Sequence, residues 1–387
     1  MLTKNINFKN FGLNRSNKKI LFCLKNLLKK ENEIIKSLKS NYKDSYSKKI
    51  VNHSKKYNQV IITGMGGSIL GSRSIYNFLR AKIKKKFIFK DSFDYLKIDL
   101  KNKKKRINLV ISKSGNTLET ISNSNVLLNS CQKNIFITEN KKSYLMDLAQ
   151  KLKFEVIHHN NFIGGRYSVL SEVGMLPAQL MGFNPKKFRR LNSLMTNKKF
   201  FNTLVQNVSN TLLLIKRKKY NSIILNYDNA SNDLFFWYQQ LIAESLGKKS
   251  KGILPIISSM PRDNHSLMQL YLDGFKNNFY TFFGIREESS EKINQNKLLK
   301  SHMFLKNKNL NDIKQSQFNA TEKVFRMKKI PFRSFYIRKR NEETLGELFI
   351  FFILETILLG KALNVNPYDQ PAVELIKTET RKFLKKN

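Results

Sequence analysis

A short apolar segment that ends in closely spaced glycines constrains this chain more than any other feature. Residues 60–63 are Val-Ile-Ile-Thr, and residues 64–68 are Gly-Met-Gly-Gly-Ser. An uninterrupted β-branched run is typical of a buried parallel strand, and glycines allow a sharp turn close to a ligand. A helix predicted over residues 68–80 would point its free N–H groups at this turn, which favours a bound phosphate. The spacing is neither the Walker pattern nor G-x-G-x-x-G, so a plain strand-to-helix turn is the alternative.

A second polar turn follows the next apolar strand. Residues 108–111 are Asn-Leu-Val-Ile, and residues 112–117 are Ser-Lys-Ser-Gly-Asn-Thr. The hydroxyls of Ser112, Ser114 and Thr117 can face one anion, whereas a helix cap with solvated hydroxyls is the simpler alternative. Two such loops at the ends of neighbouring parallel strands open onto the crevice where α/β sheets bind ligands, so together they strengthen the case for a phosphate site.

Strand and helix patterns alternate along most of the chain. The alternation runs from about residue 58 to 160, and it resumes at about residue 223 after a polar passage rich in Asn and Lys. This pattern predicts βαβ units on two parallel sheets, an α/β fold. The N-terminal segment has apolar residues at helical spacing, so we expect it to pack as helices on the first sheet. The expected division is an N-terminal helical arm over 1–55, a first domain over 56–190, a second domain over 191–365 and a C-terminal helix over 366–387.

The chain is strongly basic, with 71 Lys and Arg against 28 Asp and Glu and a formal net charge of +43. The lysines are spread over every segment together with frequent Asn, Ile and Phe, which indicates a skew of composition and not a designed binding face. Basic charge alone predicts only weak, salt-sensitive association, so we expect no specific nucleic-acid partner. The charge would help to capture a phosphorylated substrate.

The remaining composition excludes several classes of protein. The two cysteines, Cys23 and Cys131, cannot form a disulfide framework or a Cys-based zinc site, and the five histidines show no ligand spacing, so we expect no structural metal. No apolar run reaches the roughly 18 residues that a membrane span needs, and the first residues lack a signal-peptide core. We therefore expect a cytoplasmic enzyme with no membrane partner.

Three further side chains are candidates for chemistry. Arg166 follows a Gly-Gly turn, and it is either a surface salt-bridge partner or a fixed cation aimed into the crevice. Glu244 lies on the last turn of an apolar helix before Gly247, where the helix dipole disfavours a carboxylate; this suits a general base, although an exposed Glu is the simpler alternative. His265 lies one turn into a helix predicted after a strand, and a lone histidine is more often a cap or a core residue than a catalyst.

Six blocks of the sequence, in order, resemble glucose-6-phosphate isomerase, and together they cover about residues 60–380. The resemblance implies two sugar-isomerase domains of flavodoxin-like type, each a doubly wound parallel sheet. It also implies the reversible conversion of glucose 6-phosphate to fructose 6-phosphate, in glycolysis and gluconeogenesis, without metal or organic cofactor. The blocks are GMGGS at 64–68, SKSGNTLET at 112–120, GGRYS at 164–168, ESLGK at 244–248, HSLMQL at 265–270 and DQPAVELIK at 369–377.

The same resemblance implies roles for individual residues. Glu244 would shuttle a proton between C2 and C1 through a cis-enediol, and Arg166 would stabilise the charge that develops on oxygen. His265 would assist ring opening together with Lys377. These roles agree with the chemistry, because an α-hydroxy carbonyl needs one mobile base and a fixed cation. The implied substrate-binding residues are Gly67, Ser68, Ser112, Lys113, Ser114 and Thr117 around the phosphate, and Gln240 and Gln370 at the sugar hydroxyls.

The resembled family also implies a homodimer in which the histidine reaches the site of the neighbouring subunit. The helix predicted over residues 342–363 is too apolar for a surface helix, so it belongs in a core or at a subunit interface.

Other functions stay open. A dual phosphoglucose/phosphomannose isomerase would accept either epimer at C2, and a non-catalytic sugar-phosphate-binding module would use the same domains. The joint presence of Glu244, His265, Arg166 and Lys377 argues against the binding module. No aromatic-basic motif supports a nucleic-acid-binding role for the basic surface.

Overall fold

The structure is a computed structural model that describes residues 2–13, 16–94, 105–287 and 290–386, and the strands of these residues form two five-stranded sheets. The strands are β1 (Ile6–Lys9), β2 (Gln59–Gly64), β3 (Lys86–Lys90), β4 (Arg106–Ile111), β5 (Lys133–Thr138), β6 (Glu155–His158), β7 (Asn221–Asn226), β8 (Leu254–Ser259), β9 (Asn278–Ile285) and β10 (Phe332–Ile337).

Helices connect the strands and cover the sheets. The α-helices are α1 (Lys18–Lys29), α2 (Glu33–Ser37), α3 (Lys48–Ser54), α4 (Leu70–Phe78), α5 (Leu118–Leu127), α6 (Tyr144–Lys151), α7 (Glu172–Leu180), α8 (Pro185–Phe188), α9 (Leu191–Met195), α10 (Lys198–Lys216), α11 (Asn232–Leu246), α12 (Met268–Asp273), α13 (Leu310–Met327), α14 (Glu342–Ala362) and α15 (Glu374–Lys386).

The first sheet is parallel throughout, with the strand order β3-β2-β4-β5-β6. The apolar run in β2 is fully buried, as expected for a strand in the interior of a parallel sheet. From β2 the chain passes first to β3 on one side and then to β4 on the other. The carboxyl ends of β2 and β4 therefore flank the point where strand order reverses, which is where open α/β sheets bind ligands. The two predicted phosphate loops leave these two strands.

The second sheet has the order β1-β10-β9-β7-β8, and β1 is its antiparallel strand. The prediction that the N-terminal arm is helical and packs on the first sheet is therefore wrong for its beginning. Ile6–Lys9 pairs with β10 of the second sheet, and α1 contacts α10 and α14. A four-residue edge strand is too short to show a clear alternation in sequence, and its pairing partner lies more than 300 residues away. The later helices of the arm do reach the segment that follows the first sheet, since α2 contacts the 3-10 turn Gly165–Leu170 and α3 contacts α7.

Helix α14 forms the centre of the core. Its residues are buried from Thr344 to Gly360, and it contacts α8, α10 and α11. Phe349 meets the indole of Trp237 edge-on at 4.8 Å between ring centroids. The sequence left open whether this helix lies in a core or at a subunit interface, and the structure has it in the core of its own chain. In the described ranges no helix combines the length and apolarity needed to span a bilayer.

Candidate active site

The two predicted phosphate loops lie side by side because their strands pair directly. Gly64 at the end of β2 is in register with Ile111 at the end of β4. The turn after β2 is tighter than predicted, since Gly66–Ser68 forms a 3-10 turn and α4 begins only at Leu70. A Cβ on Gly67 would lie 2.2 Å from the carbonyl carbon of Gly165, so only glycine allows these two backbones to meet.

Two of the three predicted hydroxyl groups of the second loop lie in contact with each other. Ser112 is buried, and its Oγ lies 2.9 Å from Oγ1 of the half-buried Thr117. Thr117 is the N-cap of α5, yet its side chain forms no hydrogen bond with the helix. Ile69 is the N-cap of α4, and its apolar side chain cannot form one. Both helices therefore begin without a side-chain cap, which suits an anion at their N-termini.

Ser114 and Lys113, the other two residues of this loop that were predicted to bind phosphate, differ in their exposure and in their present hydrogen-bond partners. Ser114 is exposed, and its Oγ accepts a bond of 3.3 Å from the Asn116 backbone N–H. The ammonium of Lys113 lies 3.1 Å from Glu139 Oε1, and the Lys113 backbone carbonyl accepts from the Glu139 backbone N–H at 3.0 Å. Ser68, on the first loop, is half-buried next to Gly67.

Arg166 is a buried cation and not a surface salt-bridge partner, because the residue is 3% exposed. It lies in the 3-10 turn Gly165–Leu170, whose glycine packs on Gly67 of the phosphate loop. Nη1 donates to Glu244 Oε2 at 3.2 Å and to Gln370 Oε1 at 2.7 Å. The predicted base and the predicted cation are therefore in direct contact.

Glu244 is held at its other oxygen by Gln240, one helical turn earlier on α11. Gln240 Nε2 donates to Glu244 Oε1 at 2.8 Å, whereas Gln240 Oε1 is buried without a hydrogen-bond partner among the described residues. A Cβ on Gly66 would lie 2.6 Å from Gln240 Nε2, so the phosphate loop rests on this amide. The Glu244 side chain is 27% exposed and, with Gln370, lines an open cleft of about 560 Å³.

Residues to which the sequence analysis gave no role also contact Arg166. Ser245 Oγ accepts from Nε at 2.8 Å, Trp237 Nε1 donates to the Arg166 carbonyl oxygen at 3.1 Å, and the Pro367 carbonyl accepts from Nη2 at 2.8 Å. The only available signal was that Ser245 is the immediate neighbour of Glu244. A buried serine that binds a guanidinium looks, in sequence, like any other helical serine.

Two predicted catalytic residues lie apart from this group in the single chain. His265 is exposed between the 3-10 turn Arg262–Asn264 and α12, and not inside a helix as predicted. Lys377 is exposed on α15, with its ammonium 2.6 Å from Glu374 Oε1. Within the described ranges, neither side chain bonds to Arg166 or Glu244.

The grouped residues suit one kind of chemistry. A partly exposed carboxylate beside a buried guanidinium can remove a proton from a carbon next to a carbonyl, while the cation stabilises the charge that develops on oxygen. The neighbouring loops, with two uncapped helix N-termini, suit a phosphate on the same substrate.

Comparison with known proteins agrees with this chemistry. A family model described as phosphoglucose isomerase matches residues 10–387. The glucose-6-phosphate isomerase of Methanocaldococcus jannaschii is 33% identical over an alignment of 343 residues, and the match covers 82% of this chain and 82% of the relative. The glucose-6-phosphate isomerase of Mycoplasmopsis pulmonis is 30% identical over an alignment of 363 residues, and the match covers 84% of this chain and 83% of the relative.

Solved structures share the fold. A hypothetical protein from Thermus thermophilus superposes with a TM-score of 0.83 at 22% identity and covers 95% of both chains. A glucose-6-phosphate isomerase from Chlamydia trachomatis gives a TM-score of 0.71 at 17% identity, over 99% of this chain and 89% of that one. The predicted α/β fold class is thus confirmed. Because the family model extends from the N-terminal arm to the C-terminal helix, the chain belongs to the phosphoglucose isomerase family.

Proposed function

We propose that this chain is a glucose-6-phosphate isomerase, which interconverts glucose 6-phosphate and fructose 6-phosphate in glycolysis and gluconeogenesis. The single observation that carries the proposal is the contact of 3.2 Å between Glu244 Oε2 and Arg166 Nη1. A mobile base and a fixed cation are the two groups that an α-hydroxy carbonyl needs for proton transfer. Membership of the phosphoglucose isomerase family indicates which sugar phosphate is the substrate.

In the proposed reaction Glu244 takes the proton from C2 of the open-chain aldose. The C1 carbonyl oxygen becomes an enediol oxygen, and the guanidinium of Arg166 stabilises the negative charge there. Glu244 then returns the proton to C1. The C2 hydroxyl gives up its proton and becomes the carbonyl of the ketose, while the C1 oxygen takes up a proton and becomes a hydroxyl, so that the two O–H changes balance through solvent. Both Nη1 protons of Arg166 already have acceptors, Glu244 and Gln370, so a substrate oxygen would replace Gln370 Oε1. The displaced amide would then be free to bond a sugar hydroxyl.

Polar groups around the base would orient the sugar. Gln240 Oε1 is buried and unpartnered among the described residues, and a sugar hydroxyl is a donor that would satisfy it. The phosphate would lie on the loops that contain Ser68, Ser112 and Thr117, at the carboxyl ends of β2 and β4. Gly67, Ser114 and the backbone of Lys113 would complete this cradle.

We also propose that the active protein is a homodimer with shared sites. His265 and Lys377 are exposed in the single chain, where a second subunit can reach them. Helix α15 exposes four large apolar side chains, at fractions of 59 to 70%, that a neighbouring subunit would cover. In such a dimer His265 would enter the site of the other subunit and assist ring opening with Lys377. The four exposed apolar side chains of α15 are Leu375, Ile376, Phe383 and Leu384.

The proposed domain division follows the two sheets. A first sugar-isomerase domain over 56–190 would contain β2 to β6, and a second over 191–365 would contain β7 to β10. The arm over 1–55 would add its strand β1 to the second sheet, and residues 366–387 would contribute α15. A glycolytic role implies a cytoplasmic location.

A coupled assay tests the proposed function. Purified protein should convert glucose 6-phosphate to fructose 6-phosphate, measured in parallel with mannose 6-phosphate at matched concentrations. Comparable rates with both sugars would favour the dual phosphoglucose/phosphomannose isomerase. Binding of either sugar phosphate without turnover would favour the non-catalytic binding module and contradict the proposal.

A further inference from the structure

The guanidinium of Arg166 takes part in a closed ring of hydrogen bonds. Nε donates to Ser245 Oγ at 2.8 Å, and Ser245 Oγ lies 2.9 Å from the Tyr167 hydroxyl. The Tyr167 hydroxyl donates to the Pro367 carbonyl oxygen at 2.9 Å, and Nη2 of Arg166 donates to the same oxygen at 2.8 Å. The ring therefore begins and ends on one guanidinium.

The direction of every bond in this ring is fixed. Tyr167 has one hydroxyl proton, and it goes to the Pro367 carbonyl. The hydroxyl of Ser245 must then donate to Tyr167 while its oxygen accepts from Arg166 Nε. Donors and acceptors alternate in one sense from Nε to the carbonyl, an arrangement in which successive bonds strengthen one another.

Burial makes this ring costly to break. Tyr167 and Ser245 are each 0% exposed, so water cannot replace a missing hydroxyl without rearrangement. Burial also raises the pKa of Tyr167 to about 12, so its hydroxyl keeps its proton at neutral pH and remains a donor.

We propose that Ser245 and Tyr167 are positioning residues whose hydroxyls fix the plane of the Arg166 guanidinium. The ring takes Nε and one proton of Nη2, and the backbone carbonyl of Asp369 takes the other Nη2 proton at 3.0 Å. Only Nη1 is left for Glu244 and Gln370, two of the side chains that line the cleft. The proposal rests on the proposed function, in which Nη1 is the donor to the developing oxyanion.

The sole tryptophan of the chain offers a measurement that does not depend on catalysis. Trp237 is fully buried, and its indole N–H donates to the backbone carbonyl of Arg166 at 3.1 Å. A change in the placement of Arg166 should alter the emission of this indole and its quenching by acrylamide.

The test uses the variants Tyr167→Phe, Ser245→Ala and the double variant, with Tyr227→Phe as the matched control. Tyr227 is also buried, and its hydroxyl bonds Thr321 on the face of the second sheet away from α11. Each single variant should lower kcat by about 10-fold to 100-fold, the equivalent of one bond to a charged group, with KM little changed. Because both hydroxyls belong to one ring, the double variant should lose far less than the product of the single losses.

Each readout can overturn the proposal. Trp237 emission should change in the Tyr167 and Ser245 variants and stay constant in Tyr227→Phe, with all spectra taken well below the unfolding temperature of each variant. Unchanged emission together with an unchanged kcat, or a defect in KM alone, would contradict the positioning role. If the unmodified protein has no isomerase activity, the proposed function fails, whereas the fluorescence comparison still tests the ring.

Discussion

Arg166 Nη1 and Glu244 Oε2 lie 3.2 Å apart, although the two residues are separated by 78 positions in the sequence. Arg166 follows β6, the last strand of the first sheet along the chain, and Glu244 lies on α11, the α-helix that follows strand β7 of the second sheet. The cation and the carboxylate therefore meet where the two halves of the chain pack together. Any change that shifts the two sheets relative to each other will separate them.

Replacing Arg166 with lysine should be severe. An ammonium on a flexible stem cannot reproduce five bonded N–H groups in one plane, so the oxyanion would lose a fixed donor. We expect kcat to fall by about 100-fold to 1,000-fold, as when an oxyanion-hole donor is removed, with a smaller change in KM. Steady-state kinetics on glucose 6-phosphate measure this. Normal turnover with weak substrate binding would instead identify Arg166 as a phosphate ligand.

Replacing Ser114 or Thr117 with alanine should weaken the binding of every sugar phosphate. Each hydrogen bond to a charged oxygen contributes about 1.5 to 3 kcal/mol, so the dissociation constant of an inert sugar-phosphate inhibitor should rise by about 10-fold or more. Titration calorimetry with such an inhibitor measures this dissociation constant. Ser193→Ala is the control, because Ser193 is an exposed helical serine that bonds only its own turn. If both loop variants bind as the control does, the phosphate lies elsewhere.

Two individually inactive variants should restore one another if the sites are shared. Glu244→Gln and His265→Ala subunits, refolded together, would give mixed dimers with one doubly altered site and one intact site. With symmetric exchange half the dimers are mixed, so about a quarter of the unaltered activity should return. Mass spectrometry would verify the mixed dimers. No recovery in verified mixed dimers would mean that each subunit holds a complete site of its own.

The sequence predicted the elements that are continuous along the chain. The apolar runs at 60–63 and 108–111 do form adjacent buried strands, and the apolar helix expected over 342–363 spans Glu342–Ala362. These signals depend on burial alone, and burial leaves a periodic or continuous apolar pattern. The same reasoning placed the glycine loop and the Ser-Lys-Ser loop at one edge of the sheet, because parallel strands end on the same side.

The parts that the sequence did not reveal depend on how distant segments meet. Strand β1 was missed because an edge strand of four residues has a pairing partner that no local pattern specifies. The ring through Ser245 and Tyr167 closes only when α11, the Arg166 turn and the C-terminal segment pack together. Ser245 and Tyr167 directly follow Glu244 and Arg166 in the sequence, yet nothing in their identity indicates which way their side chains point.

A buried histidine should make the stability of the protein fall in mild acid. His159 is 0% exposed, and Nε2 has no partner among the described residues. Burial lowers the pKa of His159 from its usual 6.5 to about 4. Between these two pKa values the unfolded chain binds more protons than the folded one. The free energy of unfolding is therefore unaffected by protonation of His159 above pH 6.5 and falls as the pH is lowered towards 4. The charged and titratable groups nearby are Glu172, Lys113, Glu139 and His158.

Urea unfolding at several pH values measures this loss. The unmodified protein should lose up to about 3 kcal/mol of unfolding free energy over this range relative to His159→Gln, which cannot take up the proton. The comparison is needed because burial raises the pKa of Glu172, which acts in the opposite direction. His158→Gln, at the exposed neighbour whose charge has only a small effect on His159, is the control and should keep most of the pH dependence of the unmodified protein. Equal pH dependence in the His159 variant and the unmodified protein would contradict the assignment.

The central claim is that Glu244 carries the proton between C2 and C1, and isotope transfer tests it most directly. Glucose 6-phosphate labelled with deuterium at C2 would be converted in ordinary water, and the label in fructose 6-phosphate measured by NMR. Because a carboxylate at the edge of an open cleft exchanges its proton with solvent, part of the label should appear at C1 and part should be lost.

The variant Glu244→Gln completes this measurement, since the amide keeps the volume of the side chain and removes the base. It should abolish both turnover and label exchange, by several orders of magnitude, while the inert inhibitor still binds. Complete retention of the label at C1 in the unmodified protein would indicate a hydride shift and contradict the enediol. More than about a tenth of the unaltered turnover in Glu244→Gln would show that another group is the base.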